Sequence, residues 1–198
     1  MTARLSRPLA AAADRLARLR RRLVGDRRGV SAIEFALLLP VMVILFFGGH
    51  EVGQAITIYR KVSHTANVLG DLVAQVNSLT TTDMSNVYAA AKTIMSPYKS
   101  SNATMVVATV SWDGTKWKVE KANPSGTLGW VTGSPPPAGK SPPDSLKSTT
   151  QWVVVSSVQY TYTTAFKAIM SDIWGTDSIT MGDTAYLRPR ISDKVTLP

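Results

Sequence analysis

Apolar positions along the chain fall into several distinct periodic stretches. Leu5, Leu9, Ala12, Leu16, Leu19 and Leu23 recur at spacings of four and three, which places them on one face of a helix. Arg15, Arg18, Arg20, Arg21 and Arg22 occupy most of the remaining surface of that segment. From Phe35 to His50 no residue carries a formal charge, and from Val30 to Ile58 the only charged residues are Glu34 and Glu51. At 1.5 Å per residue those 29 positions make a helix of about 44 Å, ample for a bilayer. Beyond Gly53 the pattern predicts that the helix continues. Val52, Tyr59, Ala66 and Val73 recur every seven residues, as do Ala55, Val62, Leu69 and Val76, making one seam. The seam suits either a coiled coil with a partner or packing on the chain's own domain.

Thr80-Thr81-Thr82-Asp83 interrupts this pattern. Asp83 is the expected N-cap of a second helix burying Val87, Ala90, Ala91, Ile94 and Met95 and ending at Pro97. The period then changes to that of strands. Thr104–Trp112 and Trp117–Lys121 flank Asp113-Gly114-Thr115-Lys116, a hairpin signal. Residues 122–148 hold six Pro, four Gly and five Ser and read as an exposed, partly extended loop. Gln151–Thr163 reads as a long central strand, Thr164–Ile173 as a short helix or turn, and Ser178–Leu187 as a closing strand. The expected class is α+β: a long N-terminal membrane helix plus a shorter helix packed on a small, mainly antiparallel sheet.

Composition narrows the function classes. The 198 residues suffice for one domain and an extension. The absence of Cys excludes disulfide scaffolds, thiolate-ligated metals and thiol catalysis. The net charge of +9 is concentrated at the start, where residues 1–29 hold nine Arg against two Asp. The rest of the chain is nearly balanced, which argues against a nucleic-acid surface. The Arg-rich leader is either a disordered basic tail or a helix lying on an anionic membrane.

An apolar run after basic residues has three explanations: a secretory signal peptide, a plain membrane anchor, or a prepilin-type signal cut before a run that is retained. No A-x-A site follows Phe47, and Gly48-Gly49-His50-Glu51 is a poor substitute. Arg27-Arg28-Gly29-Val30-Ser31-Ala32-Ile33-Glu34-Phe35 favours the third. There a Gly follows basic residues, a Glu stands five positions later, and an aromatic opens the apolar run. With these residues, together with Ala36, Pro40 after a Leu run, and Gly48-x-x-Glu51-x-Gly53, the chain resembles the TadE-like pseudopilins of tight-adherence pilus systems, relatives of type IVb pilins.

The resemblance is clearest over Arg27 to Gly53. It implies a pilin-like fold organised as a basic leader 1–29, a transmembrane helix 30–53 and an exported domain 54–198 that includes loop 122–148. The leader is longer than is usual in the family. The implied function is that of a minor pseudopilin, a non-enzymatic component of a pilus or secretion machine serving cell adhesion. A membrane prepilin peptidase would cut the Gly29–Val30 bond. Glu34, beside Phe35, would then pair with the new amine of Val30, in its own chain or a neighbour; the alternative is that Glu34 reaches the headgroup layer. The partners implied are the peptidase, other pilins or pseudopilins, an inner-membrane platform protein, a motor ATPase and membrane lipid.

The positive-inside rule puts the N-terminus in the cytoplasm and everything after about residue 53 outside. The resemblance implies that this is a single pass through the bacterial inner membrane, with the domain in the periplasm or on a pilus at the cell surface. Pro40 removes a backbone donor and is expected to kink the helix. Gly48, Gly49 and Gly53 form a small-residue patch suited to close helix approach, or to a flexible exit from the bilayer. His50, Glu51 and His64 match no metal-ligand spacing. Gly133 stands one position too early to make Gly139-Lys140-Ser141 a phosphate loop, and neither a cofactor nor a catalytic set is expected. The alternative function is that of an unprocessed single-pass membrane protein with a periplasmic binding domain.

Overall fold

The computed structural model describes residues 18, 20, 28–164, 175 and 178–198. The chain divides into two compact units, Met1–Gly49 and His50–Pro198. In the described part of the first unit, a helix begins at Arg28; this helix, α1, runs to Ala74. It is α-helical on both sides of Pro40. Leu37, Leu38, Met42, Leu45 and Phe46 are all exposed, so this stretch lacks the buried face a helix of a soluble core would have.

The second unit is α+β. Among the described residues its strands are β1 (Ala103–Trp112), β2 (Trp117–Asn123), β3 (Val153–Thr163) and β4 (Ser178–Leu187). They form one antiparallel sheet in the order β2-β1-β3-β4. The β1–β2 hairpin is closed by Asp113, whose carboxylate accepts from the backbone N–H of Lys116 at 2.7 Å and of Thr115 at 2.8 Å. Those donors hold its carboxyl down at about 2. The register slips between Thr109 and Val110, where Glu120 is skipped as a bulge.

One sheet face packs on two helices. On α1, Ile58, Val62, Ala66, Leu69 and Val73 are fully buried. They meet Val107, Val154 and Val158 from the sheet. Val52 and Tyr59, expected in the same seam, are instead exposed at 45% and 47%. The packed face at the start of this unit runs through Glu51 and Ile58, because a straight helix drifts relative to a strict seven-residue repeat. Gly70 lets α1 approach β3 closely: a Cβ there would stand 2.7 Å from Ser156 Oγ. Ser156 Oγ donates to the Ala66 carbonyl at 2.5 Å, tying the two elements together.

The second helix, α2 (Thr81–Ile94), is capped three residues before the expected position. Thr80 is the N-cap and Asp83 its capping-box partner, each satisfying the other's backbone N–H. Met84, Ala91 and Met95 are buried, whereas Ala90 is exposed. The Tyr88 hydroxyl donates to the Asn123 carbonyl and accepts from Val107 N, clasping α2 to the sheet. Burial raises that phenol's pKa. The C-terminal segment straps the end of α1: Arg190 N donates to the Ala74 carbonyl at 2.9 Å, and Val195 and Leu197 enter the core.

The other sheet face is covered by residues expected to be an exposed loop. Trp130 is fully buried against Val106, Ala108, Val110, Val153 and Val155, with Leu128 and Leu146 packed around it. Pro142 is buried as well. Gly133 N donates to Val119 O at 2.8 Å and Val119 N to Ser134 O at 2.9 Å, so the loop also occupies the outer edge of β2. Most other loop positions are exposed, as the composition led us to expect. The short helix or turn expected at Thr164–Ile173 falls almost wholly outside the described residues.

Candidate membrane and assembly site

The residues singled out from the sequence lie on α1. Gly29, Val30, Glu34 and Phe35 are exposed in its first two turns. A Cβ built on Gly29 meets nothing within 4 Å, so there is open space where its side chain would stand. Gly is also the poorest helix former after Pro, which lowers the cost of unwinding this turn. Val30 and Glu34 stand four residues apart, so both belong to one helix face. An amine created at Val30 would lie within reach of that carboxylate.

Further along, α1 is the one helix among the described residues that is long and apolar enough to cross a membrane, with a mean hydropathy of 2.5 over its best window and none of that window buried. Pro40 sits inside this stretch. Cβ atoms at Gly48, Gly49 and Gly53 would each meet nothing within 4 Å. These glycines therefore leave open shallow surfaces rather than fitting against the chain itself.

Glu51 behaves differently. It is 1% exposed, and the Tyr162 hydroxyl donates to its Oε2 at 2.7 Å. Burial first, and then the hydrogen bond to the carboxylate, raises the pKa of the Tyr162 phenol. One turn on, Tyr98 donates to Gln54 Oε1 at 3.3 Å, and its ring stands edge-on to Tyr160 with centroids 6.4 Å apart. Lys61 donates to the carbonyls of Ile94 and Ser96 and lies over the Tyr98 ring, 5.8 Å from its centroid. The base of the second unit is thus lined by three tyrosines, of which Tyr98 and Tyr162 bond polar side chains of α1 and Tyr160 packs beside Tyr98. The sequence pattern included Glu51 but not its burial. The tyrosines gave no local signal, since Tyr162 lies 111 residues from Glu51.

Residues 29–68 match the family model described as TadE-like protein, about a fifth of the chain. The match opens at Gly29 and extends beyond Gly53, across Glu51, Gln54 and Lys61. No curated protein and no solved structure matches the chain.

Proposed function

We propose that the chain is a minor pseudopilin: a non-enzymatic, membrane-anchored component of a tight-adherence pilus or a related secretion machine. The observation that carries this reading is the coincidence at Gly29. There the Arg-rich leader ends, the apolar helix begins, and the family match opens. In this reading a prepilin peptidase cuts after Gly29 and the helix from Val30 is retained as a single-pass anchor. Arg27 and Arg28 keep the N-terminal side in the cytoplasm, and the α+β unit faces the periplasm or the outside. The exposed apolar side chains of α1 face lipid until they pack with the helices of other pilins. Gly48, Gly49 and Gly53 are the positions of closest approach. Recruitment by a membrane platform protein and a motor ATPase follows from the same reading.

Glu34 separates cleavage from assembly. The carboxylate lies more than one turn from the Gly29–Val30 bond and is not needed to expose it. After cleavage the Val30 amine is a cation in a low-dielectric setting, and Glu34 neutralises it within the chain or across to a neighbour. Removing one member of such a buried pair costs on the order of 3–5 kcal/mol. Glu34→Ala is therefore processed at a near-normal rate but fails to co-purify with other pilins, and Glu34→Asp is partly impaired. A Glu34→Ala protein that is cleaved and co-purifies fully would remove the pairing role.

A further inference from the structure

Past Gly49, the exposed side of α1 stays apolar for three more turns, although Glu51 interrupts the sequence there. Val52, Ile56 and Tyr59 are 45%, 50% and 47% exposed, and their spacings of four and three put them on one stripe. The polar side chains between them are accounted for. Glu51 is turned into the domain and bonded by Tyr162, and Gln54 receives Tyr98. Thr57 Oγ1 donates back to the Gly53 carbonyl at 2.9 Å, the arrangement by which a hydroxyl is satisfied on an apolar helix. His50 is exposed, and its amphipathic ring suits an interface. The first exposed charge after the stripe is Arg60, next to Tyr59. An aromatic followed by a cation is the pairing that marks a membrane boundary.

Resting on the single-pass reading above, we propose that the root of the folded unit, Val52 to Tyr59, is seated in the outer interface of the bilayer, its exposed stripe against lipid. The withdrawal of Glu51 into the tyrosine-lined base is what permits this seating, because a carboxylate left on the stripe would be costly to desolvate. Length agrees: the 30 residues from Val30 to Tyr59 rise about 45 Å as a helix, matching the roughly 40–45 Å of a bilayer with its headgroups. A helix ending its contact at Gly53 would leave Ile56 and Tyr59 half-exposed to water among the described residues.

The absence of Cys allows single nitroxide labels on the full chain. Met42→Cys, Ile56→Cys and Asn67→Cys variants, reconstituted in phosphatidylethanolamine/phosphatidylglycerol vesicles, are read by collision with oxygen, which dissolves in lipid, and with a water-soluble nickel chelate. The expected result is oxygen access with loss of nickel access at both Met42 and Ile56, and nickel access at Asn67. Nickel access at Ile56 equal to that at Asn67, with Met42 still shielded, overturns the seating but not the single pass. Shielding of Ile56 from both reagents assigns the stripe to a second copy of the chain and overturns lipid contact. Nickel access at Met42 overturns the single-pass reading and the seating with it.

Discussion

Gly70 illustrates how a single missing side chain sets a helix-to-sheet distance. A Cβ at this position would stand 2.4 Å from Leu187 Cδ1 and 2.7 Å from Ser156 Oγ. The Leu187 tip sits at a strand end and can swing away. Ser156 cannot move without giving up its bond to the Ala66 carbonyl, and it is fully buried. Gly70→Val therefore forces α1 off β3, an overpacking cost of about 1–3 kcal/mol. Thermal unfolding of the full-length protein in detergent, followed by near-ultraviolet circular dichroism, checks this. An unchanged midpoint would mean that helix and sheet are not held at this distance. In the sequence, Gly70 was one small residue among several on an expected helix. Only the partner strand, more than 80 positions away, makes it informative.

At the scale of elements, loop 122–148 is where sequence and structure part most. Its Pro, Gly and Ser content gave an exposed loop whose shortening would cost only closure entropy, about 0.6 kcal/mol per doubling of length. Composition averages over positions, however, and Trp130 is a large apolar side chain whose burial outweighs many solvated neighbours. Trp130→Ala should cost about 3–5 kcal/mol, because it empties the centre of the second core. Deleting residues 133–143 should also destabilise the protein, since Gly133 and Ser134 complete the edge of β2. Denaturant unfolding of each variant measures both, and stability close to that of the parent chain would show that the loop is dispensable to the fold. The strands themselves were legible because β-branched and aromatic runs bounded by turn residues carry a local signal. Ser178–Leu187 has the expected limits, and β1 and β2 differ from them by only one or two residues. The cap of α2 was misread by three positions because Thr80 and Asp83 are both good capping residues and act as a reciprocal pair.

For the whole molecule, the account depends on what happens to residues 1–29. The family resemblance was legible because every part of the pattern that carries it is local: basic pair, glycine, acid, aromatic and apolar run. What lay beyond reach was the polar lining at the base of the α+β unit, which brings Glu51 and Tyr162 together across most of the chain. A leader that is cut off makes the apolar helix the N-terminus of the mature protein and frees the amine that Glu34 is assigned to meet. A leader that stays makes the helix a plain anchor. The direct test is the intact mass of the protein extracted from membranes of cells that also carry the peptidase. The account predicts a mature chain of 169 residues beginning at Val30, and an uncut Gly29→Leu precursor, whose added side chain has open space in the chain itself. A mass for the unaltered protein corresponding to a start at Met1, or after about residue 50, would contradict it.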